Sequence, residues 1–242
     1  NGEASRKRAA RVIDRNVDAI TLREDLSAEE LKTMGVTKPK VYVTADPALL
    51  LEAGSEGAVD GFLLGNNIDP AGRYALFVLR EWQGFEAKKQ AFVQSAKYVK
   101  DAYGLTPIFF ALEPGRDLPP SREVARELPF ECPMLSAPAD EKLIIGMMKK
   151  MQVVVSMRLH ALIFASSVAA PLVAVSYDPK VTGFMHYIGQ KHCVYFEDVT
   201  AENLCALIDG ALTERSEYSV DRLRALAAQN EEIAKELLEE PI

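Results

Sequence analysis

The chain has no surplus of positive charge, little cysteine and no long apolar run, and each shortage removes a class of function. Its formal net charge is -7 over 242 residues. General nucleic-acid binding needs a basic surface, so nucleic acid is not expected as a partner and any anionic ligand must be held by a local cluster of cations. Three cysteines, Cys132, Cys193 and Cys205, show no CxxC spacing. They read as buried free thiols of a reducing compartment. The grouping His186, His192 and Cys193 matches no zinc spacing, so no metal is expected. The longest apolar stretch, Val153 to Val175, is broken by Arg158, His160 and the Ser166–Ser167 pair, and none reaches membrane-spanning length. The first residues, "NGEASRKRAARVI", are basic without an apolar signal core. They lack Met and open directly in a helical pattern, as if the chain began partway through a longer protein. Walker-type GxxxxGK[ST] and GxGxxG phosphate loops are absent, and so is the GxSxG hydrolase elbow.

What is present is an alternation of apolar strands and helices, in a composition of 48% hydrophobic and 26% charged residues that is ordinary for globular proteins. Residues 5–16 read as a helix, 17–22 as a strand, 27–35 as a short helix and 40–47 as a strand. Ser27 with Glu30 has the form of a capping box, and Gly35 that of a C-cap. The stretch 54–73, rich in Gly, Asn and Asp, reads as a domain junction. Strands are then expected at 74–79, 106–112, 132–135, 153–156, 171–176 and 193–196, and helices at 85–103, 121–128, 139–151, 158–169, 201–213 and 219–239. Continuous apolar strands separated by helices form parallel sheets covered on both faces. The expected architecture is therefore α/β, with a Rossmann-like doubly wound domain over 67–242. Residues 1–66 are expected to be the C-terminal part of a preceding α/β domain. The last helix would lie back across the other domain or mediate dimerisation.

Ligands of open parallel sheets bind beyond the carboxyl ends of the strands. The residues that follow the strands are Arg80 and Glu81; Glu113, Arg116 and Asp117; Arg158 and His160; and Tyr177, Asp178 and Lys180, with Asp46 after an earlier strand. Polar loops are the ordinary expectation, and Glu81, Glu113 and Glu24 singly need nothing more. Arg158 and His160 stand apart, because cations at a helix N-terminus oppose its dipole. A bound anion removes the conflict: backbone N–H groups, the dipole and a guanidinium fork all favour phosphate or carboxylate. The dipole would also favour neutral imidazole, able to accept a proton. The competing readings are a satisfied core histidine for His160 and an internal ion pair for Arg158, to Asp178 or Asp117. In "SYDPK", residues 176–180, Asp178 reads as a turn initiator held extended by Pro179, which leaves Lys180 to face a ligand.

The segment "VVVSMRLHALIFASSVAAPLVAVSYDPKVTGFMHYIG" resembles the C-terminal signature of the polysaccharide pyruvyl transferase family of the bacterial cell-wall type. The stretches "AITLREDLSAEELKTMGV", "VTADPAL", "FVLREW" and "PIFFALEPGRDLPPS" are similar to further parts of it, so that the resemblance runs from about residue 5 to 210. It implies a glycosyltransferase-B-like two-domain fold with the site in the cleft between domains, of which this chain carries only part of the N-terminal domain: the family's opening "GNxGDE" is absent. It also implies transfer of a pyruvyl group from phosphoenolpyruvate, as co-substrate without a further cofactor, to two hydroxyls of a saccharide that is free or lipid-linked. That places the chain in the cytoplasm, at the inner face of the membrane if the acceptor is lipid-linked. Arg158 and His160 correspond to the donor-site Arg and His of the family's "RLH" motif. Arg158 would clamp the donor, with Lys180 and Arg116 as supporting charges and Tyr177, Asp178, Asp117, Arg80 and Asp46 around the substrates. His160 would relay protons, and Asp117, Asp46 or Asp178 would activate a hydroxyl. A small polar residue is expected before Arg80, where this chain has leucine. The rival readings are a glycosyltransferase or sugar-nucleotide epimerase of the same fold, and an inactive domain that binds a glycan or a protein.

Overall fold

The computed structural model describes residues 2–214 and 218–239, in two compact units. The first comprises residues 1–50 with 221–242, and the second residues 51–220. In the first, α1 (Glu3–Asn16), β1 (Ala19–Leu22), α2 (Leu26–Met34) and β2 (Lys40–Val43) follow one another, and β1 pairs parallel with β2 from Ala19↔Lys40 to Leu22↔Val43. Helix α2 ends on Gly35 at φ 84, as its composition predicts. Its N-cap is Asp25 and not Ser27; Ser27 is instead the second residue of the helix, hydrogen-bonded to the Glu24 carboxylate.

The second unit starts with a correction. Residues 54–73, expected as a junction, contain the helix α3 (Glu56–Gly65), N-capped by Ser55, whose Oγ accepts the Ala58 N–H. Apolar Val59 and Leu63 are buried on one face of it. The chain then alternates through β3 (Tyr74–Val78), α4 (Phe85–Tyr103), β4 (Thr106–Ala111), α5 (Pro114–Arg126), β5 (Met134–Ser136), α6 (Glu141–Lys149), β6 (Val153–Ser156), α7 (Leu159–Ser166), β7 (Leu172–Ser176), α8 (Pro179–Tyr187), β8 (Cys193–Tyr195) and α9 (Ala201–Thr213). Helix α10 (Val220–Glu239) follows. It belongs to the first unit, where Asn230 meets the end of β2: Thr44 Oγ1 donates to Asn230 Oδ1 at 2.9 Å and Asn230 Nδ2 to the Ala45 carbonyl at 2.9 Å.

The six strands β3 to β8 form one parallel sheet in the order β5-β4-β3-β6-β7-β8. Counted from β3, that is the 3-2-1-4-5-6 order of the doubly wound nucleotide-binding sheet, with its reversal between β3 and β6. Both faces are covered. Ala75, Phe77, Val153, Val155, Val173 and Val175 share a core with Phe92, Val99, Leu204 and Ile208 of α4 and α9. Their alternates Leu76, Val78, Val154, Leu172 and Ala174 are equally buried, which is why β3, β6 and β7 read as continuous apolar runs. Burying both sides at roughly 25 cal/mol per Å² supplies the main drive for the fold.

Two helices differ from expectation for one reason, the behaviour of proline at helix starts. The sequence reading has a helix only over 121–128; the helix runs from Pro114, with Pro114 at its start and Pro119 and Pro120 inside it. Pro120 has no N–H for the Arg116 carbonyl one turn back. That carbonyl instead accepts the Glu81 N–H at 2.8 Å, which ties the loop after β3 to α5. Likewise Asp178 is extended (φ -150, ψ 138), as expected before proline, but Pro179 is the first residue of α8 and Asp178 its N-cap.

Candidate functional site

The sheet order reverses between β3 and β6, and at such a reversal open α/β sheets bind ligands beyond the carboxyl ends of their strands. Arg80 leaves the end of β3 and Arg158 the end of β6, so one guanidinium comes from each side of the reversal. Between α5 and these arginines lies Glu113, the N-cap residue of α5. Arg158 Nη1 donates to Glu113 Oε2 at 3.1 Å, Arg80 Nη1 lies 3.7 Å from the same oxygen, and Arg116 Nε lies 3.3 Å from Oε1. Three guanidiniums thus converge on one carboxylate whose side chain is 47% exposed. The side chains of Arg158 and Arg80 are far less exposed, at 16% and 15%.

Asp117 lies beneath. It is fully buried; its Oδ2 accepts the Glu113 N–H at 2.8 Å, which holds the first turn of α5, and its Oδ1 stands 3.5 Å from Arg158 Nη1. Removal from water pushes this carboxyl up to about 6, against the opposing effects of backbone N–H groups and of Arg80. Asp117 therefore positions Arg158 and the α5 turn, and it is sealed off from hydroxyls in solvent.

Arg158 is held from behind by the backbone. Its N–H donates to Ser156 Oγ at 2.8 Å, and Ser156 Oγ donates back to the Arg158 carbonyl at 3.0 Å. This closes a tight turn at the end of a fully buried strand. Arg158 occupies the N-cap position of α7, and its side chain makes no capping hydrogen bond. The rest of α7 is buried except His160, which is exposed and has Phe164 one turn on, ring centroids 6.3 Å apart. His160 is not a core histidine. Arg158 does carry the internal ion pair of the rival reading, to Asp117 at 3.5 Å and not to Asp178, but its shorter contact is to Glu113, which is half open to solvent.

The "SYDPK" residues form the neighbouring wall. Lys180 is not left free: Nζ lies 3.5 Å from Asp178 Oδ2 and 5.7 Å from the Tyr177 ring centroid. Asp178 accepts the Lys180 N–H at 3.0 Å as the cap of α8. Tyr177 is the meeting point, with Arg80 Cζ 5.4 Å from its ring centroid on one contact and the Trp82 ring at 4.6 Å on another. Asp46 belongs to the first unit, where it pairs with Arg23 at 3.1 Å and caps the following turn through the Ala48 N–H.

Sequence reading passed over Glu113 and Trp82. Glu113 was set aside as an ordinary polar loop residue; its position just before Pro114, at the start of a helix, was the available signal. Trp82 stands three residues beyond a buried strand on a polar loop, 38% exposed. The cysteines are half-buried and free, with burial pushing the Cys132 and Cys193 thiols up to about 11. Among the described residues no group of three or more His, Cys, Asp or Glu side chains is placed to hold a metal ion, and no helix is long and apolar enough to cross a membrane.

The fold is similar to that of several solved sugar-nucleotide enzymes. UDP-GlcNAc 2-epimerase from Methanocaldococcus jannaschii, in complex with UDP-GlcNAc and UDP, superposes with a TM-score of 0.65 at 11% identity, covering 90% of this chain and 61% of that one. A glycosyltransferase from Rickettsia africae gives 0.65 at 12% identity, over 100% of this chain and 69% of its own. HepE from Anabaena, in complex with UDP and glucose, gives 0.59 at 15% identity, over 98% and 67%. At such identities the likeness is one of fold, of the glycosyltransferase-B type. The chain spans about three fifths of the length of the epimerase structures. No curated protein matches it. The family model for polysaccharide pyruvyl transferase, however, matches residues 1–179, which include the arginines, the Glu113 carboxylate and the RLH turn: the chain belongs to the polysaccharide pyruvyl transferase family.

Proposed function

We propose that the second unit binds phosphoenolpyruvate and serves its transfer, as a ketal, to two hydroxyls of a saccharide. The observation that carries this reading is the convergence of Arg80, Arg116 and Arg158 on the half-exposed Glu113 carboxylate at the sheet reversal. Arginines held in that way are matched to a ligand with two anionic groups. The donor's carboxylate or phosphate exchanges with Glu113 as their partner, since fork-like guanidiniums grip paired oxygens.

In the reaction, the donor's methylene carbon takes up a proton and its neighbouring carbon gains oxocarbenium character. One sugar hydroxyl attacks that carbon and loses its proton. Phosphate departs with the electron pair of its C–O bond, and the second hydroxyl attacks, losing its proton and closing the ketal. Of the two protons released, one replaces that delivered to the methylene and one leaves with phosphate. The arginines stabilise the phosphate as it departs. His160, exposed beside Arg158, relays protons. Asp178 and Lys180 border the acceptor side, on a cytoplasmic or lipid-linked sugar.

Titration calorimetry of this chain tests the donor. Phosphoenolpyruvate should bind saturably, and Arg158→Ala should weaken it on the order of 10²-fold, while His160→Ala leaves binding largely intact. The fold likeness to UDP-binding enzymes makes UDP and UDP-sugars the controls. Binding of UDP that depends on Arg158, with none of phosphoenolpyruvate, would replace this reading by a nucleotide-sugar one.

A further inference from the structure

Beside the arginine cluster the structure carries an aromatic pair that the donor chemistry does not use. Trp82, on the loop after β3, and Tyr177, at the end of β7, lie 4.6 Å apart between ring centroids, inclined at 46°. The two loops reach toward one another across the end of β6, because β6 is the strand between β3 and β7. Trp82 is fixed in three ways. Its carbonyl accepts the Phe85 N–H at 3.0 Å, the following Gly84 takes φ 83 to turn the chain into α4, and its neighbour Glu81 is tied to α5. A tryptophan held by its backbone and yet 38% exposed is a ring presented to solvent.

Arg80 links this pair to the arginine cluster. Its guanidinium contacts Glu113 Oε2 at 3.7 Å and stands over Tyr177 at 5.4 Å. Lys180 approaches the same ring at 5.7 Å, and Asp178 lies beside Lys180. The result is an apolar face edged by hydrogen-bonding groups of both signs, one guanidinium away from the anion site. A pyranose has that pattern: one face of C–H bonds, with hydroxyls around the rim. A nucleobase would also stack, but it offers no ring of hydroxyls to the Asp178 and Lys180 side chains.

We propose that Trp82 and Tyr177 form the acceptor platform, on which a pyranose ring of the saccharide stacks with its hydroxyls turned toward the Arg80–Arg158 cluster. This rests on the pyruvyl-transfer reading above. Trp82 is a positioning residue: it holds the sugar and takes no part in bond making.

The chain has a single tryptophan, so its fluorescence reports on this position alone. Hexose and N-acetylhexosamine disaccharides, as methyl glycosides, are titrated into the protein at saturating phosphoenolpyruvate, with uridine as the stacking control. At least one disaccharide should shift or quench the emission saturably, and uridine should not. By calorimetry Trp82→Ala should weaken that disaccharide about tenfold, the scale of a lost aromatic contact, and Trp82→Phe should restore most of it. Phosphoenolpyruvate affinity and melting temperature should be unchanged in both variants. If every disaccharide leaves the emission and the heat unchanged while phosphoenolpyruvate binds, the platform is wrong and the donor site stands. If uridine alone quenches, the pair is a base-stacking surface. If phosphoenolpyruvate itself fails to bind, it is the donor reading that falls.

Discussion

Arg158 and Glu113 face each other at 3.1 Å from strand ends two places apart in the sheet, and one side of that pair is nearly buried while the other is open. The asymmetry separates it from a structural ion pair. A pair that served only stability would gain most from burying both partners with every hydrogen bond satisfied. On the pyruvyl-transfer reading proposed above, this half-exposed carboxylate yields the guanidiniums to the donor.

Competition between Glu113 and the donor follows from this geometry. Glu113→Gln keeps an acceptor oxygen for Arg158 but removes the charge that competes for three guanidiniums. Phosphate and phosphoenolpyruvate should then bind about three- to tenfold tighter, the scale of one partly screened charge contact. Calorimetry at low and moderate salt reads the change. Weaker binding in Glu113→Gln would mean that Glu113 holds the arginines in place for the donor instead of yielding to it.

Asp117 should leave a mark on stability against pH. Its carboxyl, pushed up to about 6 by burial, holds a proton more tightly in the folded protein than in the unfolded chain, where aspartate titrates near 3.9. The associated stability is full below about pH 4 and is lost as the pH rises through about 6. The total is roughly 3 kcal/mol for a displacement of that size. Asp117→Asn keeps an acceptor for the Glu113 N–H and does not titrate. Relative to wild type the variant should therefore gain stability between about pH 4 and pH 7. Urea unfolding at unit pH steps measures it; a variant-minus-wild-type stability that stays constant or falls with rising pH would refute the assignment.

The packing of α3 on α6 depends on a missing side chain. A Cβ on Gly146 would stand 2.4 Å from Val59 Cγ2 and 3.4 Å from the Gly54 nitrogen. Gly146→Ala should cost about 1–3 kcal/mol through overpacking, seen as a fall of several degrees in melting temperature. Val59→Ala in the same chain should return part of the loss, because it removes the methyl that collides. No recovery in the double variant would show that the backbone of Gly54, not Val59, sets the limit.

The strands and most helices were legible because each carries its own signal. Residues 85–103, 153–156 and 201–213 coincide with α4, β6 and α9; a buried parallel strand and an amphipathic helix show their environment in local apolar pattern. The turn at Arg158 was legible too, since an arginine at a helix start conflicts with the dipole whatever surrounds it. Elements that begin with proline were missed or shortened. Proline reads as a break in an isolated window, whereas Pro114 and Pro179 open α5 and α8, where an absent N–H costs nothing, and inside α5 the carbonyl freed by Pro120 is taken by the Glu81 N–H.

The amino-acid sequence by itself determined an α/β chain with parallel strands, and an Arg and a His mounted at the start of an apolar helix. Only the tertiary structure decided the strand order, and with it that Arg80 and Arg158 come together at the sheet reversal, that Glu113 is their shared partner, and that Trp82 meets Tyr177. Strand order is a matter of long-range pairing, which no local pattern encodes. A site assembled from the ends of β3, β4, β6 and β7 exists only once those four ends have been brought side by side.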